Sequence, residues 1–403
     1  MSSTSTTRPS SGAAPISSSA TRVTISCAAD ATGRPRGAGR ADVLVVGAGP
    51  VGLTAALALV RGGLTVDLVE ARPRLASESM AATFHPPTLQ ILADLGVDLD
   101  GHGLPVPTIC YRDTSGGTQV RFALSELAGD TAYPYRRHVP QLQVCRLLLE
   151  ALQTSPGCRI RFGTRADYAM TRDYPWVIAA DGADSVLRQA ASVPFPGERY
   201  AGEVIRLICD PEPFDGWDAV TYVFAADTSV SVLVMADHVR LIVRAGGDHA
   251  AGDHAVGDQG TGENGPSWAA AAVAARVTGV APPIRAWSRY RSQRRAVTAN
   301  LVGNLIFAGD SAHVTTTRGG MNMNAGIHDA AVLATALARD PGGLPAAAAQ
   351  RLAVAHDLLL PRTHATLADP MTRLRSVVDI AGDEESRRAF LRRAAMLDMV
   401  TWP

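Results

Sequence analysis

From Ala41 onward the apolar positions change period several times, and each change marks an element. Asp42–Val46 carries four aliphatic residues in a row, the pattern of a strand buried on both faces. A glycine turn over Gly47–Gly52 follows, then an apolar helical run over Leu53–Arg61 and a second strand over Leu64–Glu70. Together they have the length of a βαβ unit. Helices are predicted over Thr88–Leu95, opened by Pro86 and Pro87, and over Leu142–Leu152. Short buried strands are predicted over Trp176–Ala180 and Asn304–Ala308, with a helix over Gly326–Ala338. Past Tyr200 the period shortens. Glu203–Cys209, Val220–Ala225, Ser229–Met235, Val239–Val243 and Pro283–Arg291 are short β-branched runs between turn residues. They predict an antiparallel meander, a separate sheet half exposed to a cleft. The remainder to Pro403 reads as helical, with solvated arginine-rich faces.

This pattern divides the chain. Residues 1–40 are rich in Ser, Thr, Ala, Gly and Arg, and are read as a disordered tail. An organelle transit peptide has a similar composition, but Pro9, Gly12 and Pro15 break any amphipathic helix there. A nucleotide-binding domain is assembled from 41–110, 139–188 and 299–360. Residues 111–138 and 189–298 form the sheet domain, with a flexible insertion at 246–266, and 361–403 are C-terminal helices. The insertion repeats Gly247-Asp248-His249 as Gly252-Asp253-His254 and Gly257-Asp258-Gln259. Glycine dominates it and nothing fixes a ligand geometry, so no metal site is predicted.

Composition narrows the chemistry. The 403 residues hold 38 acids and 38 bases, so no global field points to nucleic acid or a membrane surface. Every base is arginine, which excludes Schiff-base, P-loop and halogenase-type lysine mechanisms. Five scattered cysteines without a CxxC suit a reduced, cytoplasmic protein. No apolar run approaches the roughly 18 residues that span a bilayer.

Three motifs carry the chemistry. Gly47, Gly49 and Gly52 stand at GxGxxG spacing between a strand and a helix. The first permits the tight turn, the second a close backbone approach to a diphosphate, and the third close helix–strand packing. The helix N-terminus offers free N–H groups to that diphosphate. Glu70 ends the second strand about 20 residues on, where an acid takes ribose hydroxyls. Asp181-Gly182 follows the strand at Trp176, with Asp184 and Arg188 beyond it. Gly309-Asp310 follows the strand at Asn304, and Gly319, Gly320, Met321, Asn322, Met323 and Asn324 open a helix. Those helix-opening amides suit a polarised ring oxygen.

In this order and spacing the three motifs resemble the para-hydroxybenzoate hydroxylase-type flavoprotein monooxygenases, over about residues 41 to 360. The resemblance implies an α/β chain: a glutathione-reductase-like Rossmann domain for FAD, a mainly antiparallel substrate sheet and C-terminal helices. It assigns the ADP half of FAD to Gly47, Gly49, Gly52, Glu70 and Arg72, and a flavin contact to Gln141. Gly309 and Asp310 would serve the ribityl chain. Gly320 and the amides of Met323 and Asn324 would face the flavin pyrimidine. Asp181 would serve flavin and reductant together. NAD(P)H would reduce the flavin transiently, O2 would be co-substrate, and one oxygen atom would pass to an electron-rich, phenolic ring. The segment Phe84-His85-Pro86-Pro87 also matches a subset of these enzymes.

Which residue activates the ring is open. Tyr222, Arg240, Arg244 and Tyr290 lie on predicted strands, and Thr317 lies beside the oxygen-reacting face. Each reads equally as an ordinary structural residue, and the family pattern makes His313 structural. The chain departs from the family at Met80 (usually Arg), Thr317 (usually Pro) and Asn322 (usually Gly). These departures keep two alternatives open: a flavin-dependent oxidase, dehydrogenase or cyclase without oxygen insertion, and a degenerate flavoprotein fold with a binding role.

Overall fold

The computed structural model describes residues 24–26, 40–76, 81–244, 259–260, 266–365 and 369–400. A seven-stranded sheet forms its first layer, in the order Thr24–Ser26, Cys158–Phe162, Val66–Glu70, Val43–Val46, Trp176–Ala179, Leu305–Phe307, Leu301–Val302. The strands from Cys158–Phe162 to Leu305–Phe307 pair in parallel. Val43–Val46 is central, and its four residues are almost wholly buried. Val43 and Val45 pack under the helices Pro50–Arg61, Gln141–Gln153 and Met321–Arg339, while Leu44 and Val46 face a second core with Tyr174, Val177 and Phe307. The unbroken aliphatic run is thus explained by helices on one face and an irregular layer on the other.

A nine-stranded sheet forms the second layer. Its order runs Gln259–Gly260, Ile284–Ala296, Gly197–Cys209, Val239–Arg244, Ser229–Val234, Val220–Phe224, Thr108–Asp113, Gln119–Ala123, with His313–Val314 paired to Ile284–Ala296. One face is covered by the helix Pro266–Thr278 through Ala270, Ala274 and Val277. At the Gln119–Ala123 end of the sheet, the C-terminal helices Pro370–Gly382 and Glu384–Ala394 bury Leu374, Val377 and Leu391 in one cluster with Tyr111, Phe122 and Phe224. A three-stranded sheet of Thr83–Phe84, Arg136–His138 and Leu104–Val106 lies between the layers in sequence.

Several expectations are revised. Within the segment read as a disordered tail, Thr24–Ser26 pairs antiparallel with Cys158–Phe162, whose outer edge leaves unpaired N–H and C=O groups to be met. The rest of 1–39 lies outside the described residues, as does most of the insertion 246–266. The boundary at 110 cuts the strand Thr108–Asp113, which belongs to the substrate sheet. Arg136–His138, assigned to the sheet domain, instead joins Thr83–Phe84 and Leu104–Val106. The strands of the predicted meander pair antiparallel, and the sheet extends beyond them where Val220–Phe224 pairs in parallel with Thr108–Asp113. The helix predicted from Gly326 begins five residues earlier, at Met321.

Candidate active site

The glycine turn has the geometry its spacing implies. Gly47 sits at φ +107°, and a Cβ there would meet the Ala180 carbonyl oxygen at 2.3 Å. A Cβ on Gly52 would lie 1.9 Å from the Gly47 oxygen, so this glycine closes strand against helix. A Cβ on Gly49 would meet nothing within 4 Å, because Gly49 faces open cleft. The helix Pro50–Arg61 has no side-chain cap, which leaves its first amides directed at that space. Glu70 accepts hydrogen bonds from Ala48 N (2.8 Å) and Arg72 N (2.9 Å). The acid at the second strand's end therefore also pins the turn.

Asp181 and Asp310 arrive from the neighbouring strand ends. Asp181 Oδ2 accepts from Leu187 N at 3.4 Å, while its Oδ1 is buried without a partner. Such an orphan acceptor is costly unless a ligand donor meets it. Arg188 ties the two loops together, donating to Ser311 O (3.0 Å) and Ala183 O (2.7 Å) while lying 3.9 Å over the Phe195 ring. Asp310 is open to the cleft and enclosed by protein elsewhere. That enclosure raises its carboxyl, against His313 and the hydrogen bond from Asn322 Nδ2 at 2.7 Å.

Behind Asp310 runs a buried polar chain. His313 contacts Asn322 Oδ1 at 3.1 Å and Asp329 Oδ2 at 2.7 Å, and Arg351 Nε donates to Asp329 Oδ1 at 2.7 Å. Burial alone would lower His313, but Asp329 and Asn322 raise it. Burial would raise Asp329, yet Arg351 and His313 hold it well below the carboxylate range. His313 is thus engaged in structure. Asn322, where glycine was expected, joins this chain to Asp310.

The third motif opens its helix through Gly319 at φ +78° and Gly320 at φ +65°. His85 Nε2 donates to the Gly319 oxygen at 2.8 Å, so the Phe84-His85-Pro86-Pro87 segment braces the glycines. Burial lowers His85 well below its ordinary value, keeping it neutral.

One cleft of about 850 Å³ runs from the glycine turn to the substrate sheet. Gly47, Gly49, Glu70, Arg72, Gln141, Asp181, Asp310, Gly320 and Met323 all line it. Gly52, Gly309 and Asn324 do not. Gly309, at φ +64°, packs on Val51, and Asn324 is a buried clamp that donates to Thr83 O (2.8 Å) and Gly320 O (2.6 Å) and accepts from His85 N (3.0 Å). The side chain of Asn324 thus supports the glycine turn at Gly320. Met80 lies outside the described residues. The open Gly49 approach, the uncapped helix and the orphaned Asp181 oxygen all fit a dinucleotide with its diphosphate on the glycine turn.

All five ring-activating candidates line the other end: Tyr222, Arg240, Arg244, Tyr290 and Thr317. Tyr290 OH and Thr317 Oγ1 are 2.9 Å apart, a bridge from the substrate sheet to the loop before the glycines. Sequence reasoning missed Arg206, Ser231 and Arg318, which line the same end. The signal was alternation: Arg240 and Arg244 share a face, and the pairing Arg206↔Ile242 puts Arg206 on it. Nothing local marked Arg318, which reaches Ser229 Oγ at 3.0 Å from the distant loop.

A two-layer flavoprotein with a Rossmann turn, Asp-Gly and Gly-Asp loops and a facing substrate sheet is the class this geometry defines. A family model described as an FAD binding domain matches residues 40–174 and 169–359. The chain belongs to that family, the para-hydroxybenzoate hydroxylase-type FAD-dependent aromatic monooxygenases. It is 27% identical over 321 residues to para-nitrophenol 4-monooxygenase of Pseudomonas sp. (strain WBC-3), covering 73% of this chain and 77% of that protein. It is 30% identical over 326 residues to 6-methylpretetramide 4-monooxygenase of Streptomyces rimosus, covering 74% and 55%. Its fold matches the crystal structure of p-nitrophenol 4-monooxygenase from Pseudomonas putida DLL-E4, with a TM-score of 0.73, 22% identity and coverage of 89% and 98%. The same fold carries the Diels-Alderase of the pyrroindomycin pathway, at TM-score 0.69, 23% identity and coverage of 88% and 80%.

Proposed function

We propose that this protein is an FAD- and NAD(P)H-dependent monooxygenase that places one oxygen atom of O2 on the ring of a small phenolic compound. The observation that carries the reading is the single cleft joining the diphosphate turn to a sheet face set with tyrosines and arginines. Bound FAD would supply the redox chemistry and the activation of oxygen. Gly47, Gly49 and the first amides of Pro50–Arg61 would hold its diphosphate, Glu70 the ribose, and Asp310 the sugar-alcohol chain. The remaining steps belong to the chain's own side chains. The enclosed sheet excludes water from the ring. Tyr290 and Thr317, 2.9 Å apart, can pass a proton between the ring hydroxyl and the loop. The arginines favour the ionised ring hydroxyl, which raises electron density where oxygen is inserted.

The names of the relatives support a ring substrate, since they denote a nitrophenol and a pretetramide. A cytoplasmic location fits an NAD(P)H-consuming enzyme and the buried free thiols of Cys110, Cys145, Cys158 and Cys209. Among the described residues no helix is long and apolar enough to cross a membrane, and no cluster of potential metal ligands occurs.

The test is incubation with FAD, NAD(P)H and 18O2 across a panel of phenols. Incorporation of one labelled atom per product is expected. A second reading keeps the flavin without oxygen insertion. It is favoured by Asn322, whose side chain occupies a flavin-side position where glycine was expected, and by the Diels-Alderase that shares the fold. A product formed without label would select it.

A further inference from the structure

Charge is unevenly divided along the cleft. Among the described residues, its acids are Glu70, Asp181, Asp184 and Asp310, and all four lie on or just after the parallel-strand ends. The sheet end carries Arg206, Arg240, Arg244 and Arg318 and no acid. Arg240 and Arg244 are four positions apart on one strand, an even spacing, so both point into the cleft with Ile242 on the same face between them. Their Cα atoms are roughly 14 Å apart at about 3.4 Å per residue.

Among the described residues neither guanidinium forms an ion pair with a carboxylate. Arg240 is 4% exposed, and its Nε donates to an uncharged acceptor, His238 Nε2, at 3.1 Å. Arg244 Nη1 is buried with no hydrogen-bond partner. Burial, then Arg206, pulls Arg240 down against the exposed carboxylate of Asp237; burial, with Arg373, pulls Arg244 down against the hydroxyls of Tyr290 and Tyr222. A guanidinium keeps its proton inside a protein. The strain is therefore an incompletely relieved charge, and a buried charge without a directly paired counter-charge is destabilising. One carboxylate clamped by one guanidinium would leave the other uncompensated.

Resting on the aromatic-ring reading above, we propose that the substrate is a phenolic dianion: a ring with two fixed acidic substituents of the carboxylate class, one received by Arg240 and one by Arg244. Tyr222 and Ser231, which share the cleft-facing row with Ile242, complete the polar floor. The ring hydroxyl points back toward the Tyr290–Thr317 bridge. Turnover then leaves both acidic groups intact, and an enzyme that consumes the product receives a more hydroxylated aromatic diacid.

Calorimetry on the FAD-loaded protein tests this without turnover, with 4-hydroxyisophthalate, 4-hydroxybenzoate and 4-hydroxybenzamide as probes. The diacid is expected to bind at least tenfold tighter than the monoacid, and the monoacid tighter than the amide. Arg240→Met and Arg244→Met are each expected to reduce the diacid to monoacid affinity. Each should also raise the unfolding midpoint of the ligand-free protein, by removing an uncompensated charge. The rise shows that the variant folds and separates lost binding from lost structure. Equal affinity for diacid and amide, or variants that bind diacid unchanged, would overturn the proposal. Labelled oxygen is read separately. Diacid binding without incorporation sinks only the monooxygenase reading, whereas hydroxylation of neutral phenols with diacids excluded sinks only this one.

Discussion

At the residue scale, the two later glycines of the turn make opposite predictions. Gly49, at φ −76°, has open space where a Cβ would go, and under the proposed function that space would take the diphosphate. Gly49→Ala should leave unfolding within about 0.5 kcal/mol of the parent yet weaken FAD roughly tenfold or more, about 1.4 kcal/mol. Gly52→Ala drives a methyl to 1.9 Å from a backbone oxygen, so stability itself should fall, by about 1–3 kcal/mol. Fluorescence titration with FAD alongside urea unfolding separates the two, and a destabilised Gly49→Ala would contradict the assignment. The Asp329 chain makes a pH prediction. His313 is raised, so its contribution is complete below the unfolded value of about 6.5 and fades as pH rises through its folded value. Asp329 is depressed, so its contribution is present above about 3.9 and lost as pH falls toward its folded value. Asp329→Asn should cost about 3–5 kcal/mol, with the widest gap to the parent between about pH 4 and 6.5. Urea midpoints across pH read this, and a flat difference refutes it. Glu70, Asp181 and Asp310 were legible because an acid at a buried strand's end has few other reasons to be there. Arg206 and Arg318 were not, because a lone arginine reads as a solvated surface residue until register and a distant loop place it.

At the scale of elements, the βαβ unit was legible because its three pieces differ in period: a continuous aliphatic run, a helical run, then a second strand. Cys158–Phe162 was missed although it alternates, with Cys158, Ile160 and Phe162 inward and Arg159 and Arg161 half exposed. Arg136–His138 could not be read as buried, because its three polar residues earn burial only through partners such as the Ala394 oxygen (2.7 Å from Arg136) and the Val234 oxygen (2.8 Å from His138). The helix Met321–Arg339 starts earlier than its apolar pattern because two left-handed glycines, rather than a side-chain cap, turn the chain into it. Gly320→Ala therefore meets both a left-handed backbone penalty of about 1–2 kcal/mol and a Thr83 Cβ at 3.1 Å. It should lower the unfolding midpoint and weaken FAD together, since Gly320 lines the cleft. Loss of stability without loss of flavin affinity would show that the glycine only shapes the turn.

At the scale of the whole molecule, the two layers keep separate apolar cores and meet around the cleft, where His313–Val314 pairs with Ile284–Ala296 and Arg318 donates to Ser229. The flavin layer is built on Val43, Val45, Leu53 and the helices over them. The substrate sheet is covered at its Gln119–Ala123 end by the C-terminal helices, and Leu391 is fully buried there in one cluster with Tyr222. The C-terminal helices were predicted as helices, but their arginine-rich composition gave no hint of this burial. It is the other wet face that carries the charge: Arg387 and Arg388 pair with Glu126 at 2.9 Å and Asp130 at 2.8 Å across the helix–sheet boundary. Because the cores are distinct, damage to one should reach the cleft from one end only. Leu391→Ala leaves a cavity in the cluster that also holds Tyr222 and should cost about 2–5 kcal/mol. It should raise the Kd for the ring substrate several-fold, through a loosened Tyr222, and leave the Kd for FAD within about twofold. Parallel titrations of FAD and of a phenolic ligand on the variant decide the matter. Equal weakening of both would mean that the two layers form one cooperative core and that the C-terminal helices support the flavin as much as the ring.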